Sequence, residues 1–191
     1  IVFIVNSINL IDGIDGLASG LSILAGVGFV YMFKRIGMNM VLALDMSMLG
    51  VMLMFYLYNT LGKPGVTKIF MGDTGSLTIG GIIAVAAVIM HKELLIPIIC
   101  GVFLWESISV ILQKFYYKLG KRKGVHQRLW KRTPVHDHYR TSLALVEKND
   151  PGCKVVFKGS SRLYHESKIT FRFWIISIIL AAFAILTLKI R

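Results

Sequence analysis

Charge is what this sequence is short of. Only 17% of its 191 residues are charged against 55% apolar, and its mean hydropathy is +0.66. An ordinary soluble domain carries about 25% charged residues, so that class is excluded. Acids are the scarcer sign, 10 against 22 lysines and arginines, a net charge of +12. A basic excess can mark a nucleic-acid binder. Here the cations lie beside and between apolar runs, the pattern of cytoplasmic loops in membrane proteins, so nucleic acid is not an expected partner. The two cysteines, Cys100 in an apolar run and Cys153 in a polar loop, predict neither a disulfide nor a cysteine metal site. There is no internal repeat and no low-complexity tract, and no basic stretch or cleavage site marks a signal peptide at the start. Residues 1–5 read as the end of a helix begun further upstream, so the chain reads as a fragment of a larger bundle.

What is present is five apolar runs after that stub, at roughly 17–33, 40–58, 76–90, 94–113 and 169–188. A crossing needs about 20 residues rising about 1.5 Å each. The sequence therefore predicts an all-α polytopic transmembrane helix bundle of about five crossings plus a stub, forming one transmembrane domain fragment over 1–191. Parity puts loops 6–16, 59–75 and 114–168 on one face and 34–39 and 91–93 on the other. Lys114, Lys118, Lys121, Arg122, Lys123, Arg128, Lys131, Arg132 and Arg140 crowd the longest of these, which makes its face cytoplasmic. Asp45 and Glu106 fall inside apolar runs. A central acid costs about 2.5–3.5 kcal/mol on insertion scales, so both should face the bundle interior or water. Glu106, on the helix leading into the basic loop, is the better functional candidate, and Pro97 sits near that helix's start.

Three polar motifs carry chemistry. The first, residues 9–18, doubles an Asp-Gly step at Asp12-Gly13 and Asp15-Gly16, directly before an apolar run. Glycine lets a ligand approach the backbone closely, and carboxylates at a membrane edge are functional candidates. The competing reading is a helix-capping turn. The second, residues 70–77, holds Asp73 between two glycines at a helix start. A carboxylate there suits Mg²⁺, which keeps several waters and takes phosphate oxygens, and the helix start favours the same anion. An N-cap by Asp73 or Thr74 is the alternative. The third, residues 131–140, places His136 and His138 two apart behind Pro134 among many cations. No second pair stands at zinc spacing; the cations would attract a diphosphate, whereas the plain alternative is a surface loop. Acids, a metal, histidines and a cationic rim suit phosphoryl transfer, where catalysis is mostly positioning and charge neutralisation.

At these motifs the sequence resembles the phospho-N-acetylmuramoyl-pentapeptide-transferases, a branch of the polyprenyl-phosphate sugar-1-phosphate transferase superfamily. The likeness runs from Asn6 to the C-terminus and includes the ending Phe171-Arg172-Phe173-Trp174. It implies transfer of phospho-MurNAc-pentapeptide from UDP-MurNAc-pentapeptide to undecaprenyl phosphate, with Mg²⁺, giving lipid I and UMP. It further implies the bacterial inner membrane, with active-site loops cytoplasmic and a lipid bilayer as partner; a homodimer is left open. Position by position, Asp73 matches a magnesium ligand and Asp12 and Asp15 match cleft acids. Asn9, Gly13 and Ile14 match substrate-binding positions, the latter two beside the nucleoside with Asp15. Phe70 matches an aromatic that stacks on uracil, and Asn59 and Gln113 match polar groups of the uridine pocket. His136 and His138 match the outer members of a histidine triplet.

The sequence also departs from that pattern. The middle histidine is Asp137, segment 62–68 is long, and 143–167 enlarges the last loop without a catalytic signal. The paired aspartates and a uridine-contacting lysine would lie upstream of Ile1, so the isolated chain is expected to be inactive. Three other readings stay open at this point: a UDP-N-acetylglucosamine transferase of the same superfamily, a transporter, and a non-catalytic membrane module. Acids clustered at one membrane face, away from the midplane, argue against the transporter.

Overall fold

The apolar runs become helices, and glycines mark where they stop. The computed structural model describes residues 1–61, 69–91, 96–159 and 163–189. In chain order these form α1 (Val2–Ile11), α2 (Leu17–Ile36), α3 (Asn39–Thr60), α4 (Gly72–Ile89), α5 (Ile96–Ile99), α6 (Gly101–Arg122), β1 (Gln127–Trp130), α7 (Val135–Arg140), α8 (Leu143–Asn149), β2 (Lys154–Phe157) and α9 (Glu166–Lys189). Four of them, α2, α3, α4 and α9, are long and apolar enough to cross a membrane, so this is a multi-pass, predominantly helical membrane protein. The run expected at 94–113 divides. Pro97 lies in α5, and α6 continues to Arg122, well past the apolar stretch and into the cations. Two features of the sequence reading, the length of segment 62–68 and most of the 91–93 connection, lie outside the described residues.

The chain forms two compact units, Ile1–Leu104 with Thr170–Arg191, and Trp105–Ile169. In the first, α2 ends at Gly37 (φ +82), whose N–H returns to the Phe33 carbonyl, the left-handed stop that glycine takes at no steric cost. Lys34 and Arg35 in the last turn complement the helix dipole. The turn folds α3 back along α2, and Leu49 fills the space over Gly26, leaving no room for a β-carbon. Helix α1 lies on α4, where Gly80 lets the Val5 backbone come so near that a β-carbon would stand 2.7 Å from Val5 Cα. Such small-residue contacts are how membrane helices approach each other without a hydrophobic driving force. Ile8, Ile11, Leu17, Leu21, Phe29 and Phe33 are fully buried here. Asp45 is buried too, as expected of an acid inside a span.

In the second unit, part of the stretch read as a plain polar loop is ordered. Ser142 caps α8 by accepting the Leu145 N–H at 3.2 Å. Strand β2 pairs in parallel with β1 in the register Gln127↔Lys154, Arg128↔Val155 and Trp130↔Phe157. Trp130 stacks on Phe157 at 6.0 Å, and Arg128 holds Asp150 at 2.9 Å. Cys100 and Cys153 are both free thiols.

Gly16 shows what the first turn tolerates. Its φ is +72, and a β-carbon would lie 2.7 Å from Thr60 Cγ2 and 3.0 Å from Tyr56 Cε2. Gly16→Ala should destabilise the protein by about 2–4 kcal/mol, adding left-handed strain to overpacking. Gly50, in mid-α3, has nothing near its β-position. Gly50→Ala should be neutral or stabilising by up to about 1 kcal/mol. Thermal unfolding of the two variants in detergent should therefore shift in opposite senses or by very different amounts.

Candidate functional site

In the first unit the site grows from the facing ends of α1 and α4. Asn9, in the last turn of α1, donates its side-chain amide to Asp73 Oδ1 and to Ser76 Oγ, each at 2.9 Å. Ser76 in turn donates to the Gly72 carbonyl at 3.0 Å. One residue past the end of that turn, the Asp12 carboxylate accepts the Gly72 backbone N–H. Gly72 itself has φ +62. The start of α4 has no side-chain cap of its own. The helix-start amide that Asp73 or Thr74 was considered for is met by Asp12 from another helix, and Asp73 is left exposed.

Loop 12–16 is a tight turn. The Gly13 N–H reaches the Ile11 carbonyl at 2.7 Å and the Leu17 N–H reaches Ile14 at 3.1 Å. Ile14 is buried and pins the loop to the core, whereas Gly13 is exposed. The half-buried Asp15 receives the Thr170 hydroxyl on its carbonyl at 3.4 Å. Asn59, buried at the end of α3, accepts the Gly16 N–H at 2.7 Å and donates to the Ile69 carbonyl at 2.8 Å. Both ends of its amide thus hold backbone, one on each side of the site. The residue after that anchor, Phe70, is 76% exposed.

Electrostatics at this end favours a cation. Burial, and secondarily the charge of Asp73, push the Asp12 carboxyl above its usual range, against the pull of the Gly72 N–H. Among the described residues no group of three or more His, Cys, Asp or Glu stands close enough to hold a metal. Two carboxylates brought together from separate helices are nevertheless a hard-oxygen donor set that fits Mg²⁺. That ion uses one or two carboxylates and fills the rest of its shell with water and phosphate oxygens.

The second unit positions the histidines. Pro134, after a cis peptide, opens α7. The His136 backbone N–H points at both oxygens of Glu106, at 3.2 and 3.3 Å, and its Nδ1 lies 3.3 Å from Glu106 Oε2, off the line of a good hydrogen bond. His138 Nδ1 accepts the Lys131 N–H at 3.1 Å, which places the proton of the neutral ring on Nε2. Burial first, then the Lys131 charge, lowers the His138 pKa, so this ring is neutral near pH 7. Both imidazoles are buried, not displayed on a rim. Gln113 accepts the Leu129 and Trp130 N–H groups on Oε1, at 3.0 and 3.1 Å, and donates to the Trp130 carbonyl at 3.0 Å. Its amide braces β1. Asp137 joins Arg132 and Arg140.

Reading the sequence did not assign roles to Asp137, Arg132 or Arg140, although the 137/140 spacing was a usable local signal. The tie between Glu106 and His136 spans 30 positions and leaves no local trace.

A polytopic membrane bundle with paired acids at one end of its first unit is matched over residues 1–91 by the family profile Glycosyl transferase family 4. Among similar proteins, the phospho-N-acetylmuramoyl-pentapeptide-transferase of Bacteroides thetaiotaomicron is 54% identical, with 97% of this chain and 46% of the relative covered. That of Bacteroides fragilis is 51% identical over the same shares. That of Porphyromonas gingivalis is 41% identical, covering 100% of this chain and 47% of the relative. The chain belongs to the phospho-N-acetylmuramoyl-pentapeptide-transferase family. It spans about half the length of the curated relatives it matches.

The raised Asp12 pKa has a sign that can be measured. The fold favours the protonated carboxyl, so Asp12's contribution to stability is full below the ordinary carboxylate range and is lost as pH rises through its raised value. Metal-free protein should lose stability over that window. A divalent ion bound by Asp12 and Asp73 should restore it by mass action, and Asp12→Asn should flatten both effects. Melting curves from pH 4 to 8, with and without Mg²⁺, provide the check; an unchanged pH dependence in Asp12→Asn would remove Asp12 from the metal site.

Proposed function

We propose that this chain supplies part of the site of a Mg²⁺-dependent phosphotransferase. The enzyme would pass phospho-N-acetylmuramoyl-pentapeptide from UDP-MurNAc-pentapeptide to undecaprenyl phosphate, giving lipid I and UMP. The observation that carries this is the junction of Asn9, Asp12, Asp73 and Ser76, two carboxylates held together by a helix-to-helix hydrogen bond. The names of relatives 41–54% identical supply the substrate class. An oxygen of the lipid phosphate bonds to the phosphorus next to the sugar as the bond from that phosphorus to UMP breaks. When bound, Mg²⁺ would supply charge neutralisation for the phosphate oxygens. Asp73 and Asp12 would hold it, and Asn9 fixes the Asp73 carboxylate. Asp15, Gly13 and Ile14 border the nucleoside, and Phe70 offers its exposed ring to uracil. Asn59 and Gln113 shape the backbone around substrate through the contacts described above, and His136 and His138 belong to the catalytic set.

The same reading places the protein in the bacterial inner membrane with loops 6–16, 59–75 and 114–168 cytoplasmic, leaves a homodimer open, and treats residues 1–191 as one functional domain. The 191-residue segment by itself is expected to be inactive.

Asp73→Asn in the full-length enzyme keeps shape and loses charge. Turnover should fall by orders of magnitude, because charge neutralisation is much of the catalysis. Near-normal turnover at saturating Mg²⁺ would sink the metal role. Phe70 tests recognition separately. Base–aromatic stacking is worth about 1–3 kcal/mol, so Phe70→Ala should weaken UDP-sugar binding roughly 5- to 150-fold, while Phe70→Tyr binds nearly as wild type. Equal affinities of the Ala and Tyr variants would remove Phe70 from the uridine site.

A further inference from the structure

We propose that Asp137 is a positioning residue that makes Arg132 an anchor for phosphoryl oxygens of a phosphate-bearing substrate. The inference rests on the phosphotransferase reading above and goes beyond the residues that reading uses.

The Asp137 side chain is 8% exposed. A carboxylate that far from water must be paired: Oδ1 takes Arg140 Nε at 2.7 Å and faces His136 Nε2 at 3.7 Å, and Oδ2 takes Arg132 Nε at 3.2 Å. The two arginines then differ. Arg140 also gives Nη1 to Glu166 Oε1 at 3.1 Å, so two acids balance it and it serves as a brace to the start of α9. The Arg132 side chain is 58% exposed, and Asp137 is its one acidic partner among the described residues, held through Nε alone. A guanidinium gripped by Nε keeps its terminal nitrogens as a fork. That fork matches two oxygens of a phosphate bidentately, which an ammonium cannot do. The buried Lys131 next in sequence adds positive charge to the same loop. The plain alternative is an ion pair of little consequence, as exposed pairs usually are. Against it, the acid is buried and already engaged by Arg140, so its second oxygen is free to aim Arg132.

The ligand chemistry is a phosphoryl oxygen anion, which either the diphosphate of the sugar nucleotide or the phosphate of the lipid carrier would supply. The test uses the full-length enzyme in bilayer nanodiscs, varying each substrate with the other saturating. Arg132→Gln should raise KM for one of them about 10- to 150-fold, the range for losing a charge-assisted hydrogen bond, with kcat changed less than about threefold. Whichever KM rises names the source. Asp137→Asn should raise the same KM, Asp137→Glu should recover most of it, and the double variant should be no worse than Arg132→Gln. Glu166→Gln, which frees only the brace, should lower the melting temperature without moving either KM. Unchanged KM values in Arg132→Gln, or effects of the two single variants that multiply in the double, would overturn the proposal. If Asp137→Asn does not fold, Arg132→Lys decides. It keeps the charge but loses the Nε grip and the fork, so a wild-type KM would overturn the positioning role. A wild-type enzyme with no transfer at all would overturn the phosphotransferase reading and the anchor with it.

Discussion

The hydrogen bond from Asn9 to Asp73 is the constraint on which the first unit's site depends. It joins the last turn of α1 to the first turn of α4, 64 positions apart. Two carboxylates cannot be brought together at the edge of an apolar bundle unless something offsets their repulsion and the loss of water. The bundle offsets part of it with neutral donors, the Asn9 amide on Asp73 and the Gly72 N–H on Asp12. Neutral donors orient a carboxylate without cancelling its charge. The remaining excess of negative potential is what a divalent cation would meet, and the helix contacts below it fix the spacing. Gly80 is part of that mechanism, because the close approach of α1 and α4 requires a residue without a β-carbon at this point.

Asn59 does for the neighbouring loops what Asn9 does for the acids. One buried amide ties Gly16 and Ile69 together, so the doubled Asp-Gly turn and the segment carrying Phe70 share a single fixed point. The cost of leaving either amide end unsatisfied in a buried position is about 1–3 kcal/mol. That makes the clamp a strong determinant of local geometry. The backbone that carries the exposed Phe70 is therefore held at the neighbouring residue, so a ligand on that ring would lose less in ordering the main chain.

The legible part of this protein was what local pattern controls. Apolar runs of about 20 residues gave α2, α3, α4 and α9 because length and hydropathy alone decide a crossing. The run at 94–113 was less legible, since helix propensity carries α6 on through Lys114 and Lys118 after hydropathy has ended. Region 143–167 hid α8 and β2 because a four-residue strand has no measurable period and its partner lies far away in sequence. The histidines were found, but not their burial. Whether a polar side chain faces water or a buried acid is a tertiary fact, and Glu106 was recognisable only as an acid in an expensive place.

That expense is informative in both units. Glu106 and Asp137 are buried acids of the second unit, and both sit against the loop that carries the two histidines. The surrounding sequence is strongly basic, so the acids act as the ordering element: Glu106 holds the main chain, and Asp137 gathers two cations that would otherwise repel one another. Glu106 takes a backbone N–H on both oxygens, which fixes where the main chain of α7 begins. Asp137 takes two guanidiniums, which fixes where cationic side chains stand. A basic loop without these acids could attract phosphate but could not orient it, because like charges spread apart in solution. With them, the loop keeps its positive potential and gains a geometry, and binding a phosphate in one orientation would need both.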